Sequence, residues 1–197
     1  MPPSRFNPQS LNFVDSSVAE SRSKQLVAWA KSCGRLVFKN PWFWAVAVAS
    51  VGLDRLTKAW VAASFALTVP PQTVPLIPGW FHFTYVVNSG AAFSLFQGSG
   101  WLRWLSLAVS AALMGLALCG PRMNRWEQWG YGFVLGGALG NGIDRFALGH
   151  VIDFLDFRLI RFPVFNLADV SINAGIVCLL IAMLQRPDRP DSPDRSA

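Results

Sequence analysis

The stretch PWFWAVAVASVGLDRLTKAW, residues 41–60, decides the fold class. Its first thirteen residues carry no charge. A helix that crosses a bilayer needs about 20 mostly apolar residues, and lipid offers backbone groups no partner outside the helix itself. Carried on to Ser64, the segment is long enough for one span. Asp54, Arg55 and Lys58 nevertheless stand inside it, and ionisable groups at such depth are costly enough to point to function. Working outward, Lys58 and Arg103 enclose 44 residues without a single Asp, Glu, Lys or Arg. The whole chain has 197 residues, 52% hydrophobic and 14% charged, with a mean hydropathy of +0.35. Soluble domains are nearer about 25% charged, so the composition excludes both an ordinary soluble globule and a disordered chain. The net charge of +6 would suit nucleic acid only with a basic cluster beside a soluble fold. Here the cations flank apolar runs, and no nucleic-acid partner is expected.

Three more segments read as spans: residues 101–120, 127–148 and 164–185. Gly136, Gly137, Gly140 and Gly142 crowd the third, where small residues let membrane helices approach closely. The segment 66–100, between the first two spans, holds Pro70, Pro71, Pro75 and Pro78 and the alternating run WFHFTYVVN. It reads as a short β-rich unit, with Trp80, Phe81, Phe83 and Tyr85 suited to the membrane interface. Residues 150–163 read as a loop between the third and fourth spans. The predicted fold class is an all-α membrane protein of four transmembrane helices, with a small β-rich unit on the periplasmic side between helices one and two.

Lys and Arg near span ends set orientation. Arg22, Lys24, Lys31, Arg35 and Lys39 precede the first span, Arg122 lies between the second and third, and Arg186, Arg189 and Arg195 follow the fourth. On the opposite side the segment 66–100 has none, and the loop 150–163 only Arg158 and Arg161. Both termini are therefore expected in the cytoplasm. Residues 1–40 form an extension without the apolar core and cleavage site of a signal peptide. Within it, residues 24–39 separate into a basic stripe (Lys24, Lys31, Arg35, Lys39) and an apolar face (Leu26, Trp29, Cys33, Leu36), the pattern of an interfacial helix drawn to anionic lipid. Residues 41–185 form the membrane domain, and the Pro-rich tail 186–197 is expected to be disordered.

The polar residues within the spans fall on one side of this topology. Asp54 and Lys58 are i, i+4; Asn141 to Asp144 and Arg145 is i, i+3 and i+4; Asn166 to Asp169 is i, i+3, and such spacings share a helix face. Asp153 lies between the last two sets, and Asn88 ends the aromatic run. Four helices with polar groups at one depth imply one shared site. Neither His has a plausible nucleophile partner, and no His/Cys set has zinc spacing, so no metal and no organic cofactor is expected. Carboxylates remain. Two held close share a proton, so that one acts as base on water while the other donates to a carbonyl oxygen. The same residues allow other roles. Asp54 with Lys58 suits an ion pair easing a helix into lipid, and Asp144 with Arg145 reads first as structural pairing between helices. Asp153 and Asp169 suit a proton relay in a small transporter as well as a protease, although four spans without an internal repeat argue against transport.

Five blocks resemble one family: DRLTKAW (54–60), NSGAAFSL (88–95), GGALGNGIDR (136–145), GHVIDF (149–154) and FNLADVSI (165–172). In this order and spacing they resemble the bacterial lipoprotein signal peptidases, or signal peptidase II. The resemblance implies an aspartyl endopeptidase of the bacterial cytoplasmic membrane. Such enzymes remove the signal peptide of a prolipoprotein, cutting before a cysteine that carries diacylglyceryl. It implies Asp153 and Asp169 as the catalytic pair, and support of the site by Asp54, Lys58, Asn88, Gly90, Asn141, Asp144, Arg145, Asn166 and Ala168. Lipidated prolipoproteins and membrane lipid are the implied partners, and the cyclic peptide antibiotic globomycin the implied inhibitor.

Overall fold

A computed structural model of the chain describes residues 39–90, 100–160 and 162–185. A compact unit begins at Asn40. Its elements in chain order are α1 (Pro41–Ser64), β1 (Thr73–Ile77), β2 (Phe81–Asn88), α2 (Trp101–Cys119), α3 (Arg125–Ala147), β3 (Val151–Phe157) and α4 (Leu167–Leu184). The expected interfacial helix 24–39, but for Lys39, and the tail 186–197 lie outside the described residues.

Helix α1 opens with Pro41, whose missing N–H is not needed in a first turn. Just before it, Asn40 is wholly buried. Its Nδ2 donates to the Ala117 carbonyl and its Oδ1 accepts from the Met123 N–H, both at 3.0 Å. One side chain thus ties the start of α1 to the end of α2 and the approach to α3. Along α1 the buried residues are Phe43, Ala47, Ser50, Asp54, Lys58 and Val61, while Val48, Leu53, Leu56 and Trp60 are exposed. Toward this end the helix is inside out by the standard of a soluble protein, with charges inward and aliphatic side chains outward. Among the described residues two helices are both long and apolar enough to cross a membrane, α2 and α4, with mean hydropathies of 1.7 and 2.2.

Helix α3 makes the bundle close-packed. A Cβ at Gly136 would lie 2.4 Å from Ser50 Cβ of α1, and one at Gly137 would lie 2.3 Å from the Ala168 carbonyl of α4. Glycine is required at both positions because two helices touch this one nearly backbone to backbone.

The β-rich unit differs from expectation. It is a three-stranded antiparallel sheet in the order β1-β2-β3, and its third strand comes from residues 151–157, read from sequence as a loop. The sheet is therefore not confined to the segment between the first two helices. Phe81, Phe83 and Tyr85, expected at a lipid interface, pack instead against Val61, Ile152, Phe154 and Leu155; Trp80 remains exposed. A bulge interrupts the β2–β3 register: Phe83 pairs with Leu155, but Val86 pairs with Asp153. One extra residue in β2 exchanges which of its side chains share a face with Asp153. After the bulge, Val86 and Asn88 have that place.

The fourth helix starts at Leu167, three residues later than expected. Residues 163–166 are extended, and Phe165 forms a bridge with Leu155, its N–H and carbonyl both bonded to β3. Asn166 then caps the helix. That short return lays the start of α4 beside β3.

Candidate active site

Asp153 is buried in the middle of β3, and Asp169 is half-buried in the first turn of α4. Three asparagines hold them, and one of these, Asn166, connects the two. Asn166 Nδ2 donates to Asp153 Oδ1 at 2.6 Å, and its backbone N–H donates to Asp169 Oδ2 at 3.2 Å. Asn88 Nδ2 donates to Asp153 Oδ2 at 3.0 Å. Asn141 Nδ2 donates to Asp169 Oδ1 at 2.8 Å. Each carboxylate therefore has both oxygens in hydrogen bonds, and Asn166 serves both.

The local sequence explains the placement. Asn166 and Asp169 form a capping box: Asn166 Oδ1 accepts the Asp169 N–H at 3.0 Å while the Asp169 carboxylate reaches back to the Asn166 N–H. The box satisfies two otherwise unpaired donors of the helix end. Asn88 Oδ1 accepts the Gly90 N–H at 2.9 Å, a turn that directs the other end of its amide toward Asp153.

Beneath the pair lies a buried ionic cluster. Lys58 Nζ is 2.8 Å from Asp144 Oδ2 and 3.0 Å from Asp54 Oδ2. Arg55 pairs with Asp144 and, at 3.4 Å, with Asp54. Asp54 Oδ1 also accepts the Ala168 N–H at 3.1 Å, which fastens α1 to the start of α4. Two carboxylates thus meet two cations, as burial of charge demands. Of the two residues read from sequence as structural pairing between helices, Asp144 makes such ion pairs, with Lys58 and Arg55 of α1. Asp144 turns to α1, whereas Arg145 donates to the carbonyls of Asn141 and Gly90 at 3.5 and 3.3 Å. Adjacent helix residues point about 100° apart, and only Asp144 faces the cations of α1.

Burial raises the Asp153 carboxyl from its ordinary value to about 6, and the negative charge of Asp169 adds to this; hydrogen bonds from Asn88 and Asn166 and the charge of Lys58 act in the opposite direction. A carboxyl in this range exchanges a proton near neutrality, as acid–base catalysis requires.

All eleven site residues named from sequence thus gather around one region, contributed by α1, β2 and the turn after it, α3, β3 and the start of α4. Ala168 takes part through its backbone N–H, and its methyl group fills the space beside Gly140. Arg55, read from sequence only as one of the charges inside the first span and given no place in the site, joins them through Asp144 and Asp54. Asn40 gave none, because its two partners lie 77 and 83 residues away.

The model of a protein family described as signal peptidase (SPase) II matches residues 46–185. A lipoprotein signal peptidase of Cyanothece sp. is 71% identical over 146 residues, covering 74% of this chain and 84% of its own. That of Trichormus variabilis is 62% identical over 160 residues, covering 81% and 98%. A bacterial membrane enzyme solved by the in meso method at 2.3 Å superposes with a TM-score of 0.67 at 28% identity, over 75% of this chain and 93% of that one. A family match over most of the chain, relatives of this identity along nearly their whole length and a solved membrane enzyme of the same fold lead to one conclusion: this chain belongs to the signal peptidase II family.

Proposed function

We propose that Asp153 and Asp169 are the catalytic pair of a lipoprotein signal peptidase that cleaves diacylglyceryl-modified prolipoproteins just before the lipidated cysteine. One observation carries the assignment: two carboxylates from different elements, bridged by Asn166 and each held by amide donors, above an ionic cluster whose ion pairs, among the described residues, include neither of them.

The chemistry follows. One carboxylate takes a proton from water as its oxygen attacks the scissile carbonyl carbon. The other carboxyl donates its proton to the carbonyl oxygen. The tetrahedral intermediate collapses with rupture of the C–N bond, and the proton taken from water passes to the leaving nitrogen. The active form holds one proton on the pair, and that titration belongs to the pair rather than to one residue. In the free protein the value near 6 for Asp153 places loss of this proton just below neutrality. A bound substrate displaces water from the site, which pushes the carboxyl further up and keeps the pair singly protonated at neutral pH.

All four helices span the membrane in this proposal. The charges of α1 and α3 lower their hydropathy, but Asp54, Lys58 and Asp144 are turned inward and buried, so lipid meets Leu53, Leu56 and Ile143 instead. The Lys/Arg distribution puts both termini in the cytoplasm of a bacterial inner membrane and the sheet and the aspartates toward the outer face. A substrate anchored by two acyl chains is held at that depth, since each buried CH₂ contributes about 0.8 kcal/mol. Globomycin is the expected inhibitor. Incubating the purified protein with a prelipidated prolipoprotein and its unlipidated form tests the reading: cleavage confined to the lipidated form supports it, and binding without cleavage by the wild-type protein contradicts it.

A further inference from the structure

The three amides around the aspartates are useful only in one orientation. An Asn side chain offers a carbonyl oxygen and an NH₂ group; turned by 180°, it would present its oxygen to a carboxylate and lose the bond. Asn88 is fixed because its oxygen accepts the Gly90 N–H, and Asn166 because its oxygen accepts the Asp169 N–H. Both restraints are backbone groups of neighbouring residues. Asn141 stands in mid-helix, where the backbone N–H groups are already bonded within the helix. Its oxygen accepts from Lys58 Nζ at 3.1 Å and Asn166 Nδ2 at 3.0 Å.

We propose that Lys58 is a positioning residue for the catalytic pair, holding the Asn141 amide so that its NH₂ group faces Asp169. This rests on the assignment of Asp169 to the pair. An ammonium has three N–H donors and no acceptor. Those of Lys58 meet three acceptors, Asp144 Oδ2, Asp54 Oδ2 and Asn141 Oδ1, at 2.8, 3.0 and 3.1 Å, and the residue is 1% exposed. Two of those contacts balance buried charge. The third is directed at a neutral amide whose far end touches Asp169. Turning that amide would set its NH₂ group against the ammonium and against the NH₂ group of Asn166, donor against donor on both sides. The ionic cluster under the site therefore does more than join α1 to α3 and α4. It reaches Asp169 through one amide, whereas its route to Asp153 runs through two, Asn141 and Asn166, and leaves out Asn88.

The test is a set of double-mutant cycles on kcat and KM, measured on folded, monodisperse full-length protein with a prelipidated prolipoprotein. Lys58→Met is expected to lower kcat at least tenfold with KM changed less than threefold. Because it leaves two buried aspartates with fewer cations, Asp54→Asn/Lys58→Met serves as the charge-balanced version, with Asp54→Asn as its reference. In either background Asn141→Ala is expected to cost less than threefold in kcat, against at least tenfold in the wild type. Asn88→Ala, acting on Asp153, should cost the same factor with or without Lys58. The proposal is overturned if Asn141→Ala costs as much without Lys58 as with it, or if kcat per folded molecule is unchanged by loss of Lys58. A failure of the underlying assignment looks different: Asp169→Asn would then turn over like the wild type, whatever the Lys58 cycles give.

Discussion

Two helices of this protein begin with the same device. At the start of α3, Asn124 Oδ1 accepts the Glu127 N–H at 2.9 Å and Glu127 returns a carboxylate oxygen to the Asn124 N–H at 3.0 Å. At the start of α4, Asn166 and Asp169 make the same two bonds at 3.0 and 3.2 Å. The first box lies at the surface, with Asn124 exposed. The second is sunk between β3 and α3, with Asn166 wholly buried, and its spare bonding capacity is taken up: Asn166 Nδ2 goes to Asp153, and the second oxygen of Asp169 to Asn141. A capping box in water completes a helix. Buried beside a second carboxylate, the same motif also holds the proposed catalytic pair in register. The motif and its two hydrogen bonds are shared; what separates the two is the company each carboxylate keeps.

The sharpest way to break this comparison is to neutralise one acid in each box. Asp169→Asn should lower turnover by at least three orders of magnitude, while Glu127→Gln should leave kcat within twofold of wild type; single-turnover cleavage of a lipidated substrate reads both. Next in size is the ionic cluster. Asp144→Asn leaves Lys58 and Arg55 facing fewer carboxylates, and breaking a buried charge set of this kind costs about 3–5 kcal/mol. Folded yield and melting temperature in detergent should fall before kcat per folded molecule does.

Removing each Asn of the two boxes sharpens the contrast further. Asn124→Ala should cost about 1 kcal/mol of stability, the usual value of a cap, with no change in kcat. Asn166→Ala should add to that cost a loss of turnover of tenfold or more, seen in the same melting and kinetic assays.

The effect on stability against pH touches turnover least. The folded Asp153 carboxyl titrates near 6 and its ordinary value is 3.8, so between these limits the folded protein binds more protons than the unfolded one. Stability from this group therefore decreases as pH rises from about 4 to about 6 and is flat above. Melting temperatures of Asp153→Asn across that range should lack this decrease, whereas Glu127→Gln should retain it.

Much of this organisation was legible in the sequence. The apolar runs gave the four helices to within three residues, because length and lack of charge are strong signals. The polar residues singled out within those runs gather in one region. Less was legible of what joins them. VIDFLDF in β3 does not alternate: Val151 to Leu155 are all buried, so it lacked the period-two pattern of a half-exposed strand, and two aspartates made it look like a loop. The bulge that sets Asn88 beside Asp153 has no sequence mark in β2. The Asn-x-x-Asp spacing at 166–169 was visible as i, i+3, but its meaning as a helix start depended on where the helix began. Asp144 and Arg145 were legible as pairing between helices, but not which partners each would take: helix geometry sends Asp144 to Lys58 and Arg55 and Arg145 to the Gly90 carbonyl.

The central claim is that Asp153 and Asp169 act together on water. Its most direct measurement is cleavage of a diacylglyceryl-modified prolipoprotein by purified, folded Asp153→Asn protein, with binding of the same substrate recorded in parallel. The account predicts turnover reduced by at least three orders of magnitude with substrate affinity within a few-fold of wild type. Cleavage by Asp153→Asn near the wild-type rate would contradict it.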